Sequence, residues 1–229
     1  SLIERLKSSL TRSEDFIVEA AHRVRTPLAT VRTQAEVIHR GLEKSKNKTA
    51  LREMIRAIDE SSRSAGQLLD HAMVNFRADQ LQTEALDLRK LTAETVERLL
   101  PTAELKDISI IMQDQGGDFD FDGDPIMLQN ALRNILDNAI KYSFFESDIT
   151  VALGRDAHNY IISFADQGRG FAGANLSDHL QRFKRGTNVK DIVGSGLGLT
   201  IVDEVARAHG GRVKINNNTD TKGGGACVS

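Results

Sequence analysis

Apolar or small residues recur at Ile17, Ala21, Val24, Leu28, Val31, Ala35, Ile38 and Leu42, spaced alternately four and three apart. Steps of four and three make the seam of a heptad helix. Leu2, Ile3, Leu6 and Leu10 already mark one helical face before it, with no intervening turn, so the first residue reads as a cut through a longer helix. Pro27 removes one backbone hydrogen bond inside the seam and predicts a kink. Gly41 and the polar run Glu43 to Asn47 end the first helix. A second heptad follows at Leu51, Ile55, Ile58, Ser62, Ala65, Leu69, Ala72 and Phe76. Two amphipathic helices joined by a short polar turn bury too little to stand alone, so the pattern predicts a helical hairpin that pairs with a second copy as a dimeric four-helix bundle.

From Arg77 to Glu84 the apolar period lapses, and this polar stretch is the expected hinge. Beyond it the pattern changes character. Asp87 can cap a helix running to about Leu100 and closed by Pro101. Ile108–Met112, Phe119–Phe121, Ile149–Leu153 and Tyr160–Ala165 read as strands, Gly211–Asn217 as another, and Gly223-Gly224-Gly225 as a turn into a last one. Asp124 caps a helix from Ile126 to Tyr142 with Pro125 at its first position and a buried stripe of Leu128, Leu132, Ile135 and Ala139. The alternation predicts an α+β layer, a mixed sheet with helices on one face. The expected organisation is therefore multidomain, α and α+β: residues 1–80 a helical domain, residues 85–229 an α/β sandwich.

Composition narrows the partners. The 229 residues, 40% of them apolar, suffice for two modest domains. A formal charge of −2 gives no general attraction to nucleic acid. Cys227 is the only cysteine, so no intrachain disulfide forms and a reducing compartment fits. No run approaches the roughly 20 apolar residues needed to cross a bilayer, so no membrane contact is expected of these residues.

His22 follows a seam residue directly, so its ring is expected on the flank of the packed stripe, reachable by another domain. The competing reading is a solvated surface histidine. Asn130, Asn134, Asn138 and Lys141 repeat at four, four and three and line one polar edge of their helix. Amide oxygens with an ammonium suit a magnesium-bound polyphosphate; an ordinary polar face is the alternative. Asp166-Gln167-Gly168-Arg169-Gly170 follows a strand, where a carboxylate can accept from a base amine and glycine lets a backbone come close, or where the chain simply turns. Phe171 to Val193 is a long polar stretch with Arg182, Lys184 and Arg185, a lid able to neutralise a terminal phosphate or a solvated basic loop. Gly194-Ser195-Gly196-Leu197-Gly198 opens an apolar helix to His209, a start able to form an anion nest. A Rossmann fingerprint would stand near the first strand, and this glycine cluster comes near the end.

Ala21-His22-Arg23-Val24-Arg25-Thr26-Pro27-Leu28 on a heptad helix resembles the phosphoacceptor box of sensor histidine kinases. N-I-L-D-N-A-I-K-Y resembles their N box, D-Q-G-R-G their first glycine box, L-Q-R-F-K-R their phenylalanine box with Leu180 where a first Phe is usual, and G-S-G-L-G their second glycine box. The similarity covers nearly the whole chain. It implies a Bergerat-type ATP-binding domain behind a dimerisation and phosphotransfer domain, ATP and Mg²⁺ as cofactors, a homodimer, and a response-regulator receiver domain as partner. Carried over residue by residue, Asn138 ligates magnesium, Asn134 and Lys141 support the phosphates, Tyr142 lies near the nucleoside and Asp166 contacts the adenine amine, with Gly168, Gly170, Gly194, Gly196, Leu197 and Gly198 lining the site. His22 is the expected acceptor of the γ-phosphoryl group. The family also implies a cytoplasmic core whose parent protein is membrane-anchored.

One residue departs from the pattern. The family commonly has an acidic or amide residue after the histidine; Arg23 is donor-only and cannot accept the ring proton. Glu19, three residues before His22, can substitute as the acceptor or can pair with Arg23. Thr26, four residues after His22, is expected to position water for dephosphorylating the partner, or to make a local backbone contact. Two other readings stay open: a regulatory pseudokinase that binds nucleotide without labelling itself, and an ATP-hydrolysing conformational machine.

Overall fold

A computed structural model describes residues 28–33, 35, 36, 38, 47–78, 80–156, 158–172, 176, 196–217 and 225–229. The expectations for Glu19, His22, Arg23, Thr26, Pro27, Arg182, Lys184, Arg185 and Gly194 lie outside the described residues. The described chain falls into two units that divide between Phe76 and Arg77.

In the first unit, residues 28–33, 35, 36 and 38 are helical and α1 spans Asn47–Ala78. Every expected seam position of α1, from Leu51 to Phe76, is partly buried, whereas Met54 and Leu68 off the seam are each 54% exposed. In the preceding helix Ala35 is buried, but Val31 and Ile38 remain 46% and 56% exposed. Arg32 ties the two helices, pairing with Glu36 one turn on at 3.0 Å and with Asp59 of α1 at 3.3 Å.

The second unit begins with the ribbon β1 (Glu84–Asp87), which pairs antiparallel with β3 (Asp120–Gly123). A five-stranded sheet holds β2 (Ser109–Asp114), β4 (Asp148–Arg155), β5 (Tyr160–Ala165), β6 (Ile215–Asn217) and β7 (Ala226–Val228) in the order β2-β4-β5-β7-β6. β2 and β4 are parallel and the other neighbours antiparallel, so the sheet is mixed. Strict alternation along β4 sends Ile149, Val151 and Leu153 inward, all at most 1% exposed. Against this face lie α2 (Leu88–Glu104), α3 (Pro125–Tyr142) and α4 (Gly198–Ala208), with α3 central between the other two. The expected stripe of α3 is in the core: Leu132, Ile135 and Ala139 are buried and Leu128 partly so.

Caps fix the helix starts. Asp87 accepts from the Arg89 and Lys90 N–H groups, and Asp124 from those of Ile126 and Met127. Three local expectations need correction. Pro101 does not close α2, which continues to Glu104; one lost N–H bond near the C-terminus is outweighed by seating the fully buried Ala103. The lapse at Arg77 is not yet loop, because α1 runs through it to Ala78. Of the strand expected over Gly211–Asn217, only Ile215–Asn217 forms a strand, with Lys214 exchanging backbone bonds with Ser229 just before it.

Candidate nucleotide site

The site is built on α3. Its inner edge carries Asn134, 7% exposed, whose Nδ2 donates to the Asn130 carbonyl at 2.8 Å and so leaves Oδ1 turned outward from its own backbone. A Cβ added to Gly198 would lie 3.4 Å from Asn134 Oδ1, 3.1 Å from Asn138 Nδ2 and 3.7 Å from Asn138 Oδ1. The first helical residue of α4 therefore meets the two asparagines, and a side chain there would fill the space beside them. Leu197 is the N-cap residue of α4 and makes no side-chain cap bond. Gly196 sits at φ +74°, a conformation that favours glycine, and Leu197, 1% exposed, anchors the turn in the core. The result is a helix start facing two amide side chains, suited to a polyphosphate and to a hard cation between them. Lys141, one turn beyond Asn138, lies with Nζ 5.0 Å from the Tyr142 ring centre.

The other end of the site is the turn after β5. Asp166 is 5% exposed, and its Oδ1 accepts from Gly168 N at 2.9 Å and Ala226 N at 3.0 Å. Oδ2 takes no bond from a described residue, so it is the carboxylate oxygen left for a ligand. Burial pushes the Asp166 carboxyl above its ordinary range, and the bonds from Ala226 and Gly168 pull it back. Gly168 has to be glycine, since a Cβ would lie 2.2 Å from the Tyr142 carbonyl. That closeness comes from a lone antiparallel bridge between Ser143, the residue after α3, and Gly168. Gly170, at φ +64°, is hemmed by Asn217 and the Gly225 carbonyl.

The structure thus joins Asn134 and Asn138, in the C-terminal half of α3, to Gly198, and joins the last residue of that helix, Tyr142, to Asp166 and Gly168. It adds residues the sequence reading passed over. Asn217 clamps Phe171, accepting its N–H at 2.6 Å and donating to its carbonyl at 3.0 Å. Ala226 supplies the second N–H to Asp166. Asp124 does more than cap α3: its Oδ2 receives Arg77 at 2.7 Å, both side chains almost wholly buried, and its own N–H donates to His209 Nε2 at 3.0 Å. His209 Nδ1 lies 2.8 Å from the Val205 carbonyl, which makes Nδ1 the protonated nitrogen. The D-P signature revealed the cap alone, because its partners stand 47 and 85 positions away.

Comparisons with known proteins cover both parts of the chain. Residues 12–74 match the family model "His Kinase A (phospho-acceptor) domain", and residues 123–229 match "Histidine kinase-, DNA gyrase B-, and HSP90-like ATPase". Sensor protein QseC of Salmonella typhi is 31% identical over 217 residues, 94% of this chain and 47% of that protein. Sensor protein kinase PmrB of Pseudomonas aeruginosa is 27% identical over 222 residues, 97% of this chain and 46% of that protein. The chain thus spans about half the length of these relatives. The solved cytoplasmic segment of histidine kinase QseC superposes with a TM-score of 0.51 at 25% identity, covering 74% of this chain and 93% of that one. No helix among the described residues is long and apolar enough to cross a membrane. With both models matched in order and a mixed sheet presenting its asparagine helix to a glycine-rich turn, the chain belongs to the sensor histidine kinases, a phosphoacceptor domain followed by a histidine-kinase-type ATPase domain.

Proposed function

We propose that this chain transfers the γ-phosphoryl group of ATP to His22 and passes it on to an aspartate of a response-regulator receiver domain. One observation carries the ATP half: a buried carboxylate with one oxygen held by two backbone N–H groups and the other left over, beside the C-terminal end of the helix whose Asn134 and Asn138 meet the start of α4. Asp166 Oδ2 accepts the adenine amine, Tyr142 lies beside the nucleoside, and Asn134 and Lys141 hold the phosphates together with the N–H groups of Gly196, Leu197 and Gly198. Asn138 holds Mg²⁺, which when bound offsets charge on the phosphate oxygens. Gly168 and Gly170 keep the turn close to the base. Arg182, Lys184 and Arg185 complete the charge neutralisation around the terminal phosphate, and Gly194 belongs to the glycine-rich phosphate nest before α4.

In this reading residues 1–80 form the dimerisation and phosphotransfer domain and residues 85–229 the ATP-binding domain. Glu19 takes the ring proton of His22 that Arg23 cannot, and Thr26 positions water when the partner is dephosphorylated. Catalysis rests on alignment and charge neutralisation, as phosphoryl transfer generally does. The parent protein is membrane-anchored, with this portion on the cytoplasmic side.

The test is incubation with γ-labelled ATP and magnesium. The wild type takes up acid-labile label; His22→Gln takes up none while binding nucleotide as the wild type does. Equal labelling of the two proteins, or none in either, defeats the assignment.

A further inference from the structure

Ser143 is 5% exposed, and its Oγ is a buried oxygen with no hydrogen-bond partner among the described residues. Its backbone is already committed. The N–H donates to the Ala139 carbonyl at 3.0 Å, and the carbonyl accepts from Lys106 Nζ at 3.3 Å. A buried hydroxyl left unmatched forfeits its hydrogen bonds to water, so such groups are normally satisfied by protein, water or ligand.

Its place suggests which ligand. Ser143 is bridged to Gly168, and residues paired in an antiparallel bridge project to the same side. On that side, an atom built at the Gly168 Cβ position lies 3.0 Å from Asp166 Oδ1. The hydroxyl therefore stands on the carboxylate's side of the bridge. The 6-amino purine edge presents a donor, the amine, next to an acceptor, the N1 ring nitrogen. Asp166 Oδ2 answers the first. The carboxylate cannot answer the second, and the neighbouring Gly168 and Ala226 N–H groups are both occupied by Oδ1.

We propose that the Ser143 hydroxyl is the second base-reading group of this site, donating to the purine N1 directly or through one water. The proposal rests on the ATP reading above and extends it from binding to the choice of base. It is tested on the whole chain by calorimetric titration with a non-hydrolysable ATP analogue and with its 1-deaza form, in which C–H replaces N1. The wild type prefers the parent analogue by roughly three- to tenfold, the worth of one hydrogen bond. Ser143→Ala loses that preference by weakening the parent analogue alone, and Ser143→Thr, which keeps a hydroxyl, restores it. Equal loss for both nucleotides in Ser143→Ala shows a merely structural role and overturns the proposal. A wild type that binds both nucleotides equally overturns it too, whether or not Ser143→Ala folds. A wild type that binds neither overturns the ATP reading with it, which separates the two failures.

Discussion

Asp166 shows how a single residue is prepared for its task. A carboxylate taken out of water resists ionisation, and two backbone N–H groups on one oxygen offset part of that cost while fixing where the other oxygen lies. Replacing Asp166 by Asn presents an N–H to the amine in one amide orientation and weakens a charge-assisted bond in the other. We expect ATP affinity to fall roughly 10- to 100-fold, read by calorimetry. The same substitution has a pH signature. Because burial raises the folded-state pKa above that of the unfolded chain, Asp166 favours the fold at pH below the unfolded value, and this preference is lost as the pH rises through the folded one. Urea midpoints across the acid range should therefore show Asp166→Asn lacking that loss.

Arg77 belongs to the residue scale as well. Its guanidinium and the Asp124 carboxylate are 10% and 0% exposed, so removing one partner leaves a buried charge unmatched. Arg77→Met should destabilise the second unit by about 3–5 kcal/mol, measured from its denaturation midpoint. Adding Asp124→Asn, which keeps a capping side chain but removes the charge, should recover part of that loss.

At the scale of elements, α3 and α4 form the site by meeting at one point. Gly198 is a helical residue, where Ala is ordinarily favoured by about 1 kcal/mol, yet its Cβ would sit 3.1 Å from Asn138 Nδ2. Gly198→Ala should leave thermal stability unchanged or higher while weakening magnesium-dependent ATP binding, because the added methyl crowds the asparagines rather than the core. A parallel fall in melting temperature and affinity would instead make Gly198 a packing residue. The caps at Asp87 and Asp124 belong to the same scale: each satisfies two N–H groups that would otherwise lack partners, and thereby sets where its helix begins.

At the scale of the whole molecule, the first unit leaves apolar surface uncovered. Val31 and Ile38 lie on the heptad seam yet remain about half exposed in the single chain. If a second copy covers them, as the proposed four-helix bundle requires, then the Val31→Glu/Ile38→Glu double variant should sediment as a monomer while the wild type sediments as a dimer. Its second unit should still bind ATP with unchanged affinity, since none of the residues around Asp166 and Asn138 belongs to that seam.

The sequence by itself determined what depends on neighbours along the chain. The heptad of α1, the caps of α2 and α3, the strands β4 and β5 and the row Asn130, Asn134, Asn138 all follow from period and local hydrogen bonding. Tertiary structure decided what depends on distant pairing. β1 was not legible because Glu84–Asp87 is too short and polar to read as a strand until β3 lies beside it. The helix through Arg77 looked like loop because its stabilising partner is Asp124, and the orientation of Asp166 depends on Ala226, 60 positions on. Local pattern fixes a backbone's shape one turn at a time; a buried charge or hydroxyl gets its meaning only from the groups that folding brings to it.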